Sequence, residues 1–243
     1  MAHLLEVKGV WKFFGGLAAL KNVSFTYDGG ILGIIGPNGA GKTTLFNCIT
    51  GVYRPSRGRV YFKGRDITGL KPHKVCRLGI ARTFQIPRPF GNETVLENVT
   101  AARLFGGAGA VSIKKAAEEA MEVIRFVGLE GKAGVRASSL NIHERKRLEI
   151  ARALVTRPEV LMLDEVASGL TPAEVDGIVE LVKEINRRGV NVIWIEHVMR
   201  AIMRAAERII VLDYGEIISE GPPEKVAKDP AVIKAYLGEE YVA

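Results

Sequence analysis

Apolar residues along the chain gather in short dense runs separated by longer stretches of helical period. Residues 31–35 (ILGII), 160–163 (VLML) and 192–195 (VIWI) are apolar at nearly every position. Strands buried on both faces, as in a parallel sheet covered by helices, have that composition. Residues 4–10, 23–27, 59–62, 208–213 and 216–219 also read as strands, and the third of the apolar runs extends back to Asn191. The early strands alternate between apolar and polar residues, which predicts an antiparallel portion. Helical spacing predicts helices over 43–50, 171–188 and 199–207. The segment Thr171-Pro172-Ala173-Glu174 is a helix start, with Thr as N-cap, Pro at the first position and Glu reaching back.

The middle of the chain is different. From 95 to 154 only helical periods recur, such as 116–127, broken at Gly106-Gly107 and Gly131. This predicts a helical subdomain, 95–154, inserted into an α/β core made of 1–94 and 155–243. The tail, 221–237, reads as two short helices meeting near Asp229-Pro230.

Composition narrows the class. Of 243 residues, 47% are hydrophobic and 25% charged, the balance of a globular domain with a core, not of a disordered chain. The formal charge of +7 permits an anionic ligand but is ordinary at this length, and no nucleic-acid partner is expected. Cys48 and Cys76 are the only cysteines, too few for a disulfide framework or a cysteine zinc site. No run approaches the ~20 apolar residues of a membrane span, and the start lacks a signal-peptide core, so a cytoplasmic location is expected.

Candidate chemistry lies at two strand ends. After the strand at 31–35 comes Gly36-Pro37-Asn38-Gly39-Ala40-Gly41-Lys42-Thr43-Thr44, which fits G-x-x-x-x-G-K-[ST] between a strand and a helix. Glycines let backbone N–H groups curl around phosphate oxygens, and the next helix aims its positive end at the same charge. Lys42 is expected to reach the β- and γ-phosphates and the Thr43 hydroxyl to ligate Mg²⁺. The strand at 160–163 ends in Asp164-Glu165. Asp164 is placed to hold Mg²⁺, and Glu165 to polarise an attacking water. No N-K-x-D segment reads guanine, which argues against a GTPase.

With these motifs the sequence resembles the ATP-binding cassette ATPases over essentially its whole length. The resemblance implies an α/β fold: a P-loop NTPase core with a mixed, mainly parallel sheet, an antiparallel β portion and an inserted helical subdomain. It implies that Gln85, in Ala81-Arg82-Thr83-Phe84-Gln85, is the glutamine that senses Mg²⁺ and water. It likewise implies that His197 contacts the γ-phosphate and that Phe14 stacks on adenine, although Trp11 and Phe13 are neighbours. Segments 82–85, 94–99 and 147–154, with the tail from 212 to 238, are similar to cassettes of branched-chain amino-acid importers. Cassettes for amide and urea import look alike here, so the solute stays open.

The family signature, Leu-Ser-Gly-Gly-Gln, is altered. This chain has Leu140-Asn141-Ile142-His143-Glu144, and only Leu140 agrees. Asn141 and Glu144 fit a capping box, while Asn141 and a protonated His143 retain hydrogens to donate. Val166 replaces the usual Pro, and Thr171 the Asp that many members carry. The resemblance therefore implies an ATP- and Mg²⁺-dependent ATPase subunit of a membrane importer. It would lie on the inner membrane face through permease subunits, with a solute-binding protein as indirect partner. A heterodimer with a second cassette is favoured over a homodimer. The alternatives are a cassette for lipopolysaccharide export, DNA repair or protein assembly, or a nucleotide-dependent interaction protein with little turnover.

Overall fold

A computed structural model describes residues 2–107 and 109–237. In chain order its elements are β1 (Leu5–Phe14), β2 (Leu17–Tyr27), β3 (Ile31–Ile35), α1 (Lys42–Ile49), β4 (Arg57–Phe62), β5 (Arg65–Asp66), α2 (Pro72–Arg77) and β6 (Ile80–Arg82). Three helices follow, α3 (Val95–Phe105), α4 (Ile113–Phe126) and α5 (Ile142–Leu154). The remainder is β7 (Val160–Asp164), α6 (Pro172–Arg187), β8 (Asn191–Ile195), α7 (Met199–Ala205), β9 (Arg208–Asp213), β10 (Glu216–Gly221), α8 (Pro223–Val226) and α9 (Pro230–Leu237). The chain forms two compact units, one of Met1–Pro72 with Asn191–Ala243 and the other of His73–Val190.

In the first unit, β2, β1, β4 and β5 make an antiparallel sheet in that order. The β1–β2 hairpin is longer than the alternation at 4–10 and 23–27 suggests. Its outer half, from the pair Lys12↔Leu20 to Phe14↔Leu17, lies beyond register shifts that break the two-residue period. A second sheet carries β3 between two parallel neighbours, β8 and β9, with β10 antiparallel to β9. All five residues of β3 are buried, as its composition predicts, and Ile34, Leu45, Phe46 and Trp194 lie at 0% exposure.

In the second unit β6 and β7 pair in parallel, Ile80 opposite Val160 and Arg82 opposite Met162. Between 95 and 154 the described residues form α3, α4, α5 and two short 3-10 turns, as expected. The capping boxes at Thr94 and Thr171 form, and Ser112 caps α4. A buried ion pair, Arg103 with Glu119, joins α3 to α4. The compact unit starts at His73 and ends at Val190, a wider division than the expected 95–154 insertion. It takes in β6, β7 and α6 because the two strands pair with each other and α5 packs on both. Among the described residues, no helix is long and apolar enough to cross a membrane.

β3 is buried on both faces, so truncating it leaves a cavity. Ile34→Ala is expected to lower stability by about 2–5 kcal/mol in urea unfolding followed by tryptophan fluorescence. A loss below about 1 kcal/mol would contradict that placement.

Candidate nucleotide site

The phosphate-loop sequence folds as its glycines require. Gly36 has φ +150°, and a Cβ there would stand 2.0 Å from the Leu212 carbonyl oxygen. Gly41, at φ +101°, would press a Cβ to 2.6 Å from the Ala19 oxygen. Side chains are therefore excluded where the loop passes the neighbouring strands. The Lys42 ammonium, with the residue 6% exposed, donates to the oxygens of Gly36 at 2.6 Å and Pro37 at 3.0 Å. α1 has Gly41 as its N-cap, with no side-chain cap and no acid in its first turn, which leaves its positive end for an anion. Asn38, Gly39 and Thr43 are exposed, whereas Ala40 is buried and Pro37 and Thr44 half-buried. A cavity of about 500 Å³ opens beside the loop, walled by Pro37 to Ala40, Tyr214 and Lys234.

Phe14, 42% exposed, closes the β1–β2 hairpin edge-on to Tyr53, ring centroids 5.2 Å apart, under the Lys12 ammonium. Trp11 and Phe13 stack on each other instead and are half-buried, so Phe14 is the most open ring of the three. His197 follows β8 and is exposed. Nothing in the chain's pattern marks what holds it. The carboxylate of Glu196, fully buried, accepts the N–H groups of His197 at 3.2 Å and Val198 at 3.3 Å.

The second unit gathers the other predicted residues. Asp164 ends β7 at 1% exposure; its Oδ2 accepts from Arg82 at 2.8 Å and its N–H donates to the Thr83 hydroxyl at 3.0 Å. Burial pushes the Asp164 carboxyl up, opposed by Arg82 and reinforced by Glu165. Its Oδ1 is buried and has no hydrogen-bond partner. An orphaned carboxylate oxygen fits a hard cation or a water on one, so the residues present suit Mg²⁺. No cluster of three metal-ligating side chains stands among the described residues. Glu165, 9% exposed with φ +50°, accepts at Oε2 from the Gln85 amide at 2.6 Å. Lys146, 3% exposed, donates to the carbonyl oxygens of Gln85 and Glu165.

The altered signature forms the start of α5. Asn141 accepts from Glu144 N–H at 2.9 Å, and Glu144 accepts from Asn141 N–H at 3.0 Å, so the capping box is real. Leu140 is buried and Ile142 is 54% exposed. His143 packs beside Arg147. Its Nε2 accepts from Arg147 at 2.8 Å, and burial, then the Arg147 charge, pull its pKa below the usual value. A neutral ring that accepts at Nε2 keeps one N–H, at Nδ1, to donate.

The ABC transporter family profile matches residues 20–168. The chain belongs to the ABC transporter family. A second profile, for branched-chain amino acid ATP-binding cassette transporters, matches residues 216–242 of this cassette. LivG of Escherichia coli (strain K12), a high-affinity branched-chain amino acid transport ATP-binding protein, is 41% identical over 97% of this chain and 98% of its own length. BraF of Pseudomonas aeruginosa, described in the same words, is 40% identical over 97% and 98%. A solved cassette of an ABC transporter in its ADP conformation matches at TM-score 0.90 and 33% identity, covering 98% of this chain and 100% of that one.

Three residues of this ABC cassette that sequence reasoning passed over are Arg82, Lys146 and Glu196. For Lys146 a signal existed: with Glu149, Ile150 and Ala153 it has the spacing of a buried helix face.

The His143 environment can be tested directly. A proton NMR titration is expected to place its midpoint below 6.5, moving upward in Arg147→Gln as the positive neighbour is removed. A midpoint at or above 6.5 in the unmodified chain would contradict the contact.

Proposed function

We propose that this chain is the ATP-binding and ATP-hydrolysing subunit of a membrane importer, for branched-chain amino acids or related small polar solutes. The observation that carries the reading is the match at 216–242 to the branched-chain amino acid cassettes, in a chain similar to LivG over 97% of its length. The subunit is cytoplasmic and rests on permease subunits at the inner membrane face, a solute-binding protein delivering to them from the other side. The helices of 95–154, with the segment 85–98, dock the permease.

The chemistry is positioning and charge stabilisation. Backbone N–H groups of residues 36–44 and the Lys42 ammonium bind the phosphates, and Phe14 stacks on adenine. Lys42 exchanges two neutral carbonyl partners for phosphate oxygens, a gain in charge-assisted bonding. Asp164, the Thr43 hydroxyl and Gln85 are the groups that would hold Mg²⁺, which would supply positive charge against the phosphates. Glu165 takes the proton of the attacking water, and Gln85, already on its Oε2, orients that water. His197 donates to the γ-phosphate.

In the family, the signature of one cassette completes the site of its partner. Here Ile142 and His143 stand where the family has glycine, and Asn141 and Glu144 are occupied with each other. The working pair is therefore a heterodimer, in which a second cassette supplies an intact signature to this chain's phosphate loop.

Two outcomes follow. Glu165→Gln is expected to bind ATP normally and hydrolyse it at least about a hundredfold slower, the scale of a lost general base; near-normal turnover would remove Glu165 from that role. Replacing Asn141→Ser, Ile142→Gly, His143→Gly and Glu144→Gln together is expected to raise the ATPase rate of the isolated chain. An unchanged rate at equal nucleotide occupancy would count against the heterodimer.

A further inference from the structure

We infer that Lys146 is a positioning residue for hydrolysis, holding the main chain of Gln85 and Glu165 so that their side chains meet. The inference rests on the reading of Glu165 as the general base and adds the residue that aims it. Lys146 lies on the buried face of α5, and its ammonium donates to the Gln85 oxygen at 2.9 Å and the Glu165 oxygen at 2.8 Å. Those acceptors are 61 and 19 residues away in the chain. Both lie just past the ends of β6 and β7, where no strand pairing holds them. The ring closes through the side chains, because the Gln85 amide donates to Glu165 Oε2 at 2.6 Å.

Glu165 also has φ +50°, a left-handed conformation unfavourable for a side chain with a Cβ. Such a conformation persists where surrounding contacts over-determine it. A hydrogen bond to the Glu165 carbonyl from a buried cation is such a contact. Lysine suits the task because its three donors can serve two carbonyls at once, and it accepts nothing. A methionine keeps much of the packing and donates nothing. A glutamine is shorter and cannot span both oxygens.

A double-mutant cycle separates aiming of Glu165 from general support of the fold. Single-turnover ATP hydrolysis and the affinity for a fluorescent ATP analogue are measured on the full chain for Lys146→Met, Glu165→Gln and the double variant. Lys146→Met is expected to bind nucleotide within about threefold of the unmodified chain and to hydrolyse it at least about tenfold slower, as a misplaced group does. In the Glu165→Gln background it is expected to add no further slowing. Normal hydrolysis by Lys146→Met, equal slowing in both backgrounds, or weakened nucleotide affinity as the main effect would overturn the proposal. Normal hydrolysis by Glu165→Gln would instead overturn the reading of the base. If Lys146→Met does not fold, Lys146→Gln carries the same cycle with the same required pattern.

Discussion

A lysine ammonium folded onto two carbonyl oxygens, in a loop whose Gly36 and Gly41 pass too close to their neighbours for side chains, is the contact on which the nucleotide account depends. Lys42 is nearly buried, and its bonds to Gly36 and Pro37 keep the loop in a ring around its own cation. The Leu212 oxygen against Gly36 and the Ala19 oxygen against Gly41 fix the path of that ring. The strand before it is rigid because both its faces are packed. A loop so placed presents N–H groups and one positive charge to an anion.

The acid cluster follows a different rule. Two carboxylates in succession at a buried strand end are costly unless each has partners. Asp164 has Arg82 on one oxygen only, and the second oxygen stays unsatisfied in the interior. Burial raises its pKa despite the guanidinium, so desolvation outweighs the ion pair here. Glu165 has a side-chain partner in Gln85 and a main-chain partner in Lys146. One acid is thus left with an open oxygen for a cation, and the other is held in a fixed direction. That division of roles is the one the proposed hydrolysis asks of the two acids.

Much of this was legible in the sequence, and the exceptions have physical causes. The runs at 31–35, 160–163 and 191–195 are apolar because both faces of those strands are covered, so they read directly as β3, β7 and β8. The caps of α5 and α6 read directly because capping is a local interaction. The outer half of the β1–β2 hairpin did not, since bulges break its period. β6 spans Ile80–Arg82, too short to show any period. Arg82 was missed because a charge in a sequence carries no mark of its distant partner, and Lys146 because the spacing of a buried helix face does not name the two carbonyls it meets; Glu196 was missed although its partners are the next two N–H groups.

The loop's grip on the nucleotide is tested most directly by equilibrium binding of a fluorescent ATP analogue to the unmodified chain and to Lys42→Ala. Loss of one charge-assisted contact predicts an affinity at least about tenfold weaker in Lys42→Ala, with the fold intact by circular dichroism. Equal affinity in the two proteins would contradict the account.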